Sequence, residues 1–253
     1  MIHACLNGDR PPGAHPPIPV TPDELARSAA SCVAAGAVLV HVHPRDEHGR
    51  ETLAAAHVVD TITAIKAVTP GLPVSVTTRD GVVSSRETKL AQVSEWPGPD
   101  DGGPDCATVN WHEDGALEIA TALREKGIGV EAGIWSPRAT IAFVSTNWPW
   151  QVERVLIEVI PGVTPGSEGT WAAERILAAL GMTPAPVLVH GENAWTWPVL
   201  RWAQASGFDV RIGLEDTRYL PDGSIAAGNS ELVRVANESE PGAPSQWPVP
   251  DPL

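Results

Sequence analysis

Eight short apolar segments alternate with segments of helical pattern, and this alternation limits the possible folds more than any other feature of the sequence. Strands that alternate with helices imply a parallel sheet. Eight such units in a chain of 253 residues predict a single (β/α)8 TIM barrel. A doubly wound open sheet is the alternative, but no predicted strand is followed by a G-x-G-x-x-G turn. We predict strands at residues 2–6, 37–43, 73–78, 105–110, 128–133, 155–159, 186–190 and 208–214.

Helix signals separate these strands. The clearest is Thr21-Pro22-Asp23-Glu24, which places a threonine N-cap before proline at the first helical position and a glutamate two residues further on. The chain is expected to form one domain over 1–253, with an extended proline-rich tail from about 240. Helices are predicted at residues 22–35, 54–68, 86–95, 116–126, after Ser136-Pro137, and at 170–180, 193–206 and 230–237.

The amino-acid composition narrows the classes of molecule that this protein is expected to bind. The net charge is −14, with 31 acidic against 17 basic residues, so the surface repels polyphosphate and nucleic-acid binding is not expected. No uncharged apolar run reaches the roughly 18 residues of a membrane helix, and we see no secretory signal at the N-terminus. Cys5, Cys32 and Cys106 lie far apart, so buried thiols in a reducing cytoplasm are expected.

The second predicted strand ends in His41-Val42-His43-Pro44-Arg45-Asp46. Residues two apart on a strand point to the same side, so His41 and His43 are expected to project together. Two imidazoles on one side are half of a metal site. A pair of core or loop histidines without a ligand is the plainer interpretation of this stretch alone.

The eighth strand carries Arg211 and is followed by Glu215 and Asp216. A structural ion pair between the arginine and one of the carboxylates is one interpretation. The other makes Glu215 a third metal ligand beside His41 and His43, with Asp216 as a base that Arg211 holds. Such a set fits an open catalytic zinc site and also a non-haem iron site. Other polar candidates at strand ends, where barrel active sites lie, are Asp9, Arg45, Thr78, Thr108, Asn110, His190 and Glu192.

Three motifs occur in order along the chain: PIPVTPDE at 17–24, AGAVLVHVHPRD at 35–46 and VRIGLEDT at 210–217. With these motifs the sequence resembles the beta-keto acid cleavage enzyme family over nearly its whole length. The resemblance implies a zinc-dependent (β/α)8 barrel. It also implies a retro-Claisen cleavage coupled to acyl transfer, in which a beta-keto acid and acetyl-CoA give acetoacetate and a new acyl-CoA.

The resemblance also implies roles for particular residues. The family's metal ligands fall on His41, His43 and Glu215, its aspartate base on Asp216 and its supporting arginine on Arg211. Hydroxyl groups that bind the keto acid fall on Thr78 and Thr108. Substrate contacts are expected from Asp9, where the family often has glutamate, and from Asn110, Arg45, His190 and Glu192.

Two other functions stay open at this point. One is a metal-dependent aldolase, lyase or hydrolase on the same barrel that does not use CoA. The other is a metal- or metabolite-binding protein without catalysis, which leaves Asp216 and Arg211 with no task. The family resemblance implies a homo-oligomer, a dimer or a tetramer.

Overall fold

The computed structural model describes residues 1–146 and 151–238, and it contains a closed barrel of eight parallel strands in sequence order. This architecture confirms the predicted TIM barrel. Each strand is short and almost entirely buried, because helices cover the outside of the barrel and side chains fill its interior. The strands are β1 Ile2–Cys5, β2 Leu39–Val42, β3 Val74–Thr77, β4 Cys106–Asn110, β5 Gly129–Ile134, β6 Arg154–Val159, β7 Val187–Gly191 and β8 Asp209–Ile212.

Side-chain caps begin three of the described helices. Thr21 accepts a hydrogen bond from the backbone N–H of Glu24, whose carboxylate accepts one from the backbone N–H of Thr21, so a complete capping box opens the first helix. Ser85 and Ser136 cap two later helices in a similar way. The helices are α1 Pro22–Ala34, α2 Ala55–Val68, α3 Arg86–Ser94, α4 Ala116–Glu125, α5 Pro137–Ser145, α6 Gly169–Leu180, α7 Thr196–Ala205 and α8 Asn229–Glu238, with 3-10 turns at Pro99–Asp101 and Asn193–Trp195.

Strand order explains how distant motifs meet. β1 pairs with β2 on one side and with β8 on the other, so the histidine stretch and the Arg211–Asp216 stretch flank the same strand. The register places Cys5 beside His41 and His3 beside Arg211. Because side chains alternate along a strand, both stretches direct polar groups into the barrel.

A network of buried polar side chains fills the barrel interior beneath these stretches. Arg154 lies 3.0 Å from Nε2 of His3 through Nη1, and it forms an ion pair with Glu131 at 2.7 Å. Glu131 in turn accepts a hydrogen bond from the hydroxyl of Ser75. Buried polar groups need such partners. Burial, and then the Arg154 charge, lower the pKa of His3 to about 3.

This low pKa predicts how His3 affects stability at acid pH. The unfolded histidine takes up a proton near pH 6.5 and the folded one does not, so stability falls as the pH drops below about 6.5. Between pH 7 and pH 5 the native protein is expected to lose about 2 kcal/mol more unfolding free energy than His3→Gln, which cannot titrate. Urea unfolding of both proteins at the two pH values measures this difference, and equal losses would contradict it.

The remaining expectations about the chain concern cysteines, membranes and the tail. Cys5, Cys32 and Cys106 are free and buried, as predicted. Among the described residues, no helix is both long and apolar enough to cross a bilayer. The proline-rich tail from about 240 lies outside the described residues.

Candidate metal and active site

His41 and His43 project from the carboxyl end of β2 into the barrel, and both are almost fully buried. Nδ1 of His41 lies 3.0 Å from the Ser75 hydroxyl, and Nδ1 of His43 lies 3.1 Å from a carboxylate oxygen of Glu51. Asn7 fixes the backbone of His43 through hydrogen bonds to its N–H and C=O. Because each outer nitrogen has a partner, each ring is oriented with Nε2 available for a metal.

Glu215 joins the two histidines from the loop after β8. Ligand atoms of His41, His43 and Glu215 all lie within 4.8 Å of one another, close enough to bind one ion. Nε2 of His43 is 3.7 Å from Oε1 of Glu215, and Arg211 donates to the same oxygen at 2.6 Å. The predicted ligand set is therefore brought together across β1.

The chemistry of these residues fits a divalent metal. Oε2 of Glu215 is buried and makes no hydrogen bond, although a buried carboxylate oxygen normally has a partner. Two imidazole nitrogens and one carboxylate leave further coordination positions open, as in catalytic zinc sites. Both zinc and non-haem iron are compatible with this set.

The charges around the site also favour a cation. Burial alone raises the pKa of Glu215, but Arg211 and the two histidines hold it well below its ordinary value. Burial opposes protonation of His43, yet Glu215 and Glu51 raise its pKa to about 9. Without a metal, His43 therefore carries the positive charge that the surrounding carboxylates attract.

Gly8 leaves the space that Glu215 occupies. A methyl group on Gly8 lies 2.9 Å from Cβ of Glu215 and closer still to its Cγ, and Gly8 has a φ of +55°, which favours glycine. Gly8→Ala is therefore expected to displace the carboxylate and weaken the binding of a divalent metal by about tenfold to 100-fold. Competition with a zinc chelator measures the affinity. Gly13→Ala, also at positive φ but with nothing within 4 Å, is the control, and equal affinities in the two variants would contradict the prediction.

Asp216 lies fully buried beside the ligand set. Its carboxylate is 3.2 Å from Nδ1 of His190 and accepts a hydrogen bond from Sγ of Cys5 at 2.8 Å. We expected Arg211 to hold this carboxylate, but the structure pairs Arg211 with Glu215. The Arg211 side chain instead contacts the carboxylate of Glu215, four residues later in the sequence, at 2.6 Å. The contacts of Asp216 therefore come from β7 and β1.

A cavity of about 70 Å³ lies directly on the ligand set. Four predicted residues line it as expected: Asp9, Thr108, Asn110 and Glu192. Burial, and then the neighbouring Glu158, raise the pKa of Glu192 above its ordinary value, so this carboxyl favours its neutral form and can donate a hydrogen bond. The cavity accommodates only a small molecule or one end of a larger one.

Four predicted residues do not line this cavity, and the fully buried Asp216 is one of them. The Thr78 hydroxyl donates to the carbonyl of Thr108, because strand alternation directs Thr77 inward instead. Arg45 donates to the backbone carbonyls of three loop residues, so it braces the loops after β1 and β2 and does not contact the substrate space. His190 is fully buried between Asp216 and Glu158, which places it behind the cavity wall.

Several residues of the site had not been identified from the sequence. Ser75 and Thr77 lie on the inward face of β3. Since residues two apart on a strand point to the same side, an inward-facing Thr77 would also have predicted an inward-facing Ser75. Glu51, which contacts both His43 and Arg79, had no sequence signal, because it reaches the site through an isolated pairing of its loop with Arg45.

Sequence comparisons find a family and individual relatives. The profile of the beta-keto acid cleavage enzyme family matches residues 1–240. A 3-keto-5-aminohexanoate cleavage enzyme from Acetoanaerobium sticklandii is 25% identical over 94% of this chain and 92% of its own. The enzyme of the same name from Fusobacterium nucleatum is 26% identical over 94% and 91%. A 3-dehydrocarnitine:acetyl-CoA trimethylamine transferase from Rhizobium meliloti is 25% identical over 87% and 82%.

Solved structures with the same fold are more distant in sequence. A ternary complex of ObcA with a C4-CoA adduct and oxalate superimposes with a TM-score of 0.69 at 15% identity. The match covers 88% of this chain, which spans 63% of that chain. The 3-dehydroquinate dehydratase from Aquifex aeolicus gives a TM-score of 0.58 at 11% identity, over 94% of this chain and 98% of that one. These likenesses support the barrel fold.

Proposed function

Since the chain belongs to the beta-keto acid cleavage enzyme family, we propose that it is a zinc-dependent enzyme that transfers an acyl group between a beta-keto acid and acetyl-CoA. The observation that carries the proposal is the convergence of His41, His43 and Glu215 beside a buried aspartate. The relative whose name includes acetyl-CoA supports the choice of co-substrate. The products are acetoacetate and the CoA thioester of the remaining fragment.

The overall reaction balances without a further reactant. Asp216 takes a proton from the carbon between the ketone and the carboxylate of the keto acid. That carbon attacks the acetyl carbonyl of the thioester, and the CoA thiolate leaves. The thiolate then attacks the original ketone, the bond between that carbonyl and the central carbon breaks, and the central carbon recovers a proton from Asp216. General acid–base catalysis of this kind contributes about 10²- to 10⁴-fold.

The side chains around the cavity have distinct tasks in this proposal. Zinc held by His41, His43 and Glu215 would act as a Lewis acid on the ketone, and would stabilise the developing charge by several kcal/mol. Thr108, Asn110 and the neutral Glu192 line the cavity and orient the keto acid through hydrogen bonds. Ser75 and Glu51 hold the outer nitrogens of the two histidines and so fix their orientation. Asp9 lies 3.5 Å from Arg79 at the same cavity, where both can contact the substrate.

Isotope labelling tests the proposal and separates it from the aldolase, lyase and hydrolase alternatives. Zinc-loaded protein is incubated with a panel of short beta-keto acids and acetyl-CoA carrying a ¹³C-labelled acetyl group. We expect the label in acetoacetate and an unlabelled new acyl-CoA. Cleavage that proceeds equally without acetyl-CoA would favour the alternatives, and no acyl-CoA from any keto acid would contradict the proposal. Light scattering in the same buffer tests the expected dimer or tetramer.

A further inference from the structure

A second and larger cavity lies beside the proposed active site. Its volume is about 380 Å³, and it is lined by residues from the loops after β1, β7 and β8. The cavity on the ligand set has only about 70 Å³, which is too small for a CoA thioester. The loops after strands 7 and 8 of TIM barrels frequently bind phosphate groups. The position of the larger cavity therefore suits a phosphorylated ligand.

The segment after β8 contributes residues to both cavities. Leu214 and Thr217 line the larger cavity, Glu215 lines the smaller one, and Asp216, between these residues in the sequence, is buried. The guanidinium of Arg10, which lines the larger cavity, donates to the carbonyl oxygen of Glu215 at 2.9 Å. A molecule in the larger cavity therefore lies next to the metal ligands and the proposed base.

Positive charge without a carboxylate partner collects at the larger cavity. Arg79 and Arg211, at the smaller cavity, both form ion pairs with carboxylates. In residues 1–146 and 151–238, Arg10 and Arg218 form none: Arg10 donates to carbonyl and amide oxygens, and Arg218 stacks on Tyr219 at 5.0 Å. In a chain with a net charge of −14, such a pair is a local site for an anion.

The lining divides into an apolar part and a charged part. Ala14, Ile18 and Leu214 form the apolar part of the lining, while Arg218 is exposed to solvent. The pantetheine arm of CoA is a neutral chain of methylene and amide groups, and the nucleotide carries three phosphates. We propose that this cavity takes the pantetheine arm of the thioester, with the nucleotide phosphates on Arg218. The inference rests on the proposed function, because it assigns a site to the co-substrate named there.

Charge reversal at Arg218 tests the phosphate contact, and Arg175 offers a matched control. Both arginines are exposed and both stack on an aromatic ring at 5.0 Å, but Arg175 lies on α6 over Trp171. Arg218→Glu is expected to raise the KM for acetyl-CoA by roughly 10- to 100-fold, the usual effect of losing a charged hydrogen bond. The KM for the keto acid stays unchanged, and Arg175→Glu changes neither value.

A shortened thioester shows which part of acetyl-CoA contacts Arg218. Acetyl-pantetheine lacks the nucleotide, so its KM is expected to be the same in the native enzyme and in Arg218→Glu. Ala194 lines the cavity and is exposed, so Ala194→Trp is expected to raise the KM of both thioesters by obstructing the arm. Inorganic phosphate competes with acetyl-CoA in the native enzyme more strongly than in Arg218→Glu. Circular dichroism confirms that each variant is folded.

The outcomes separate this inference from the proposed function. If the native enzyme turns over acetyl-CoA and Arg218→Glu has the same KM for it, the inference is overturned and the function stands. The same holds if Ala194→Trp leaves both thioester KM values unchanged. If the native enzyme neither turns over acetyl-CoA nor binds CoA in calorimetry, the function fails and the inference fails with it.

Discussion

His41→Ala is expected to remove zinc from the protein and to lower kcat by about 10³-fold or more. The side chain supplies one of three ligands, and its ring is held in place by Ser75. Two remaining ligands cannot retain the ion at working concentrations, so the polarisation of the ketone is lost with it. The zinc content of the purified protein, measured by elemental analysis, should fall from about one ion per chain to near zero.

His48→Ala is the matched control, because it removes a histidine from the loop that follows β2, the strand that carries His41. The His48 side chain is 65% exposed and contacts only the neighbouring Glu47 among the charged groups described. It is expected to keep its zinc and its activity. Full activity in a zinc-free, folded His41→Ala protein would show that the metal has no part in the reaction.

Asp216→Asn is expected to lower kcat by about 10²- to 10⁴-fold while the zinc content stays at that of the native enzyme. Asparagine has nearly the same shape but cannot take a proton. Asp216 contacts His190 and Cys5 and is not one of the three clustered ligands, so its loss should spare the metal. Deuterium exchange at the central carbon of the keto acid should slow in parallel with turnover.

Two further variants show which step Asp216 serves. Asp222→Asn makes the same change in an exposed turn, where the carboxylate bonds only to Ser224, and should leave activity unchanged. Arg211→Gln should instead weaken zinc binding, because Arg211 contacts the ligand Glu215 and not Asp216. If Asp216→Asn exchanges deuterium at the native rate, another group is the base.

The contrast between these variants follows from a contact that sequence spacing did not resolve. Arg211, Glu215 and Asp216 lie within six positions, so the sequence alone allowed either carboxylate as the partner of the arginine. The structure assigns Arg211 to Glu215 and His190 to Asp216. The difference arises because β8 ends at Ile212, and the following turn sends consecutive side chains in different directions.

A similar distinction separates Thr77 from Thr78. Both hydroxyls were close enough to the end of β3 for a role in substrate binding. Alternation along the strand places Thr77 on the cavity, and Thr78 turns to the carbonyl of Thr108 on the adjacent strand. A shift of one residue exchanges the two faces of a strand, so the predicted face depends on the exact end of the element.

The sequence by itself predicted the barrel, the cap of its first helix and the three candidate metal ligands, because these depend on local periodicity and on short motifs. Only the tertiary structure decided which groups hold those residues. Ser75 on His41, Glu51 on His43 and the space at Gly8 beside Glu215 are contacts between separate strands and loops. Such contacts arise when the sheet closes and brings the ends of β1, β2, β3 and β8 together, and no spacing along the chain encodes their distances.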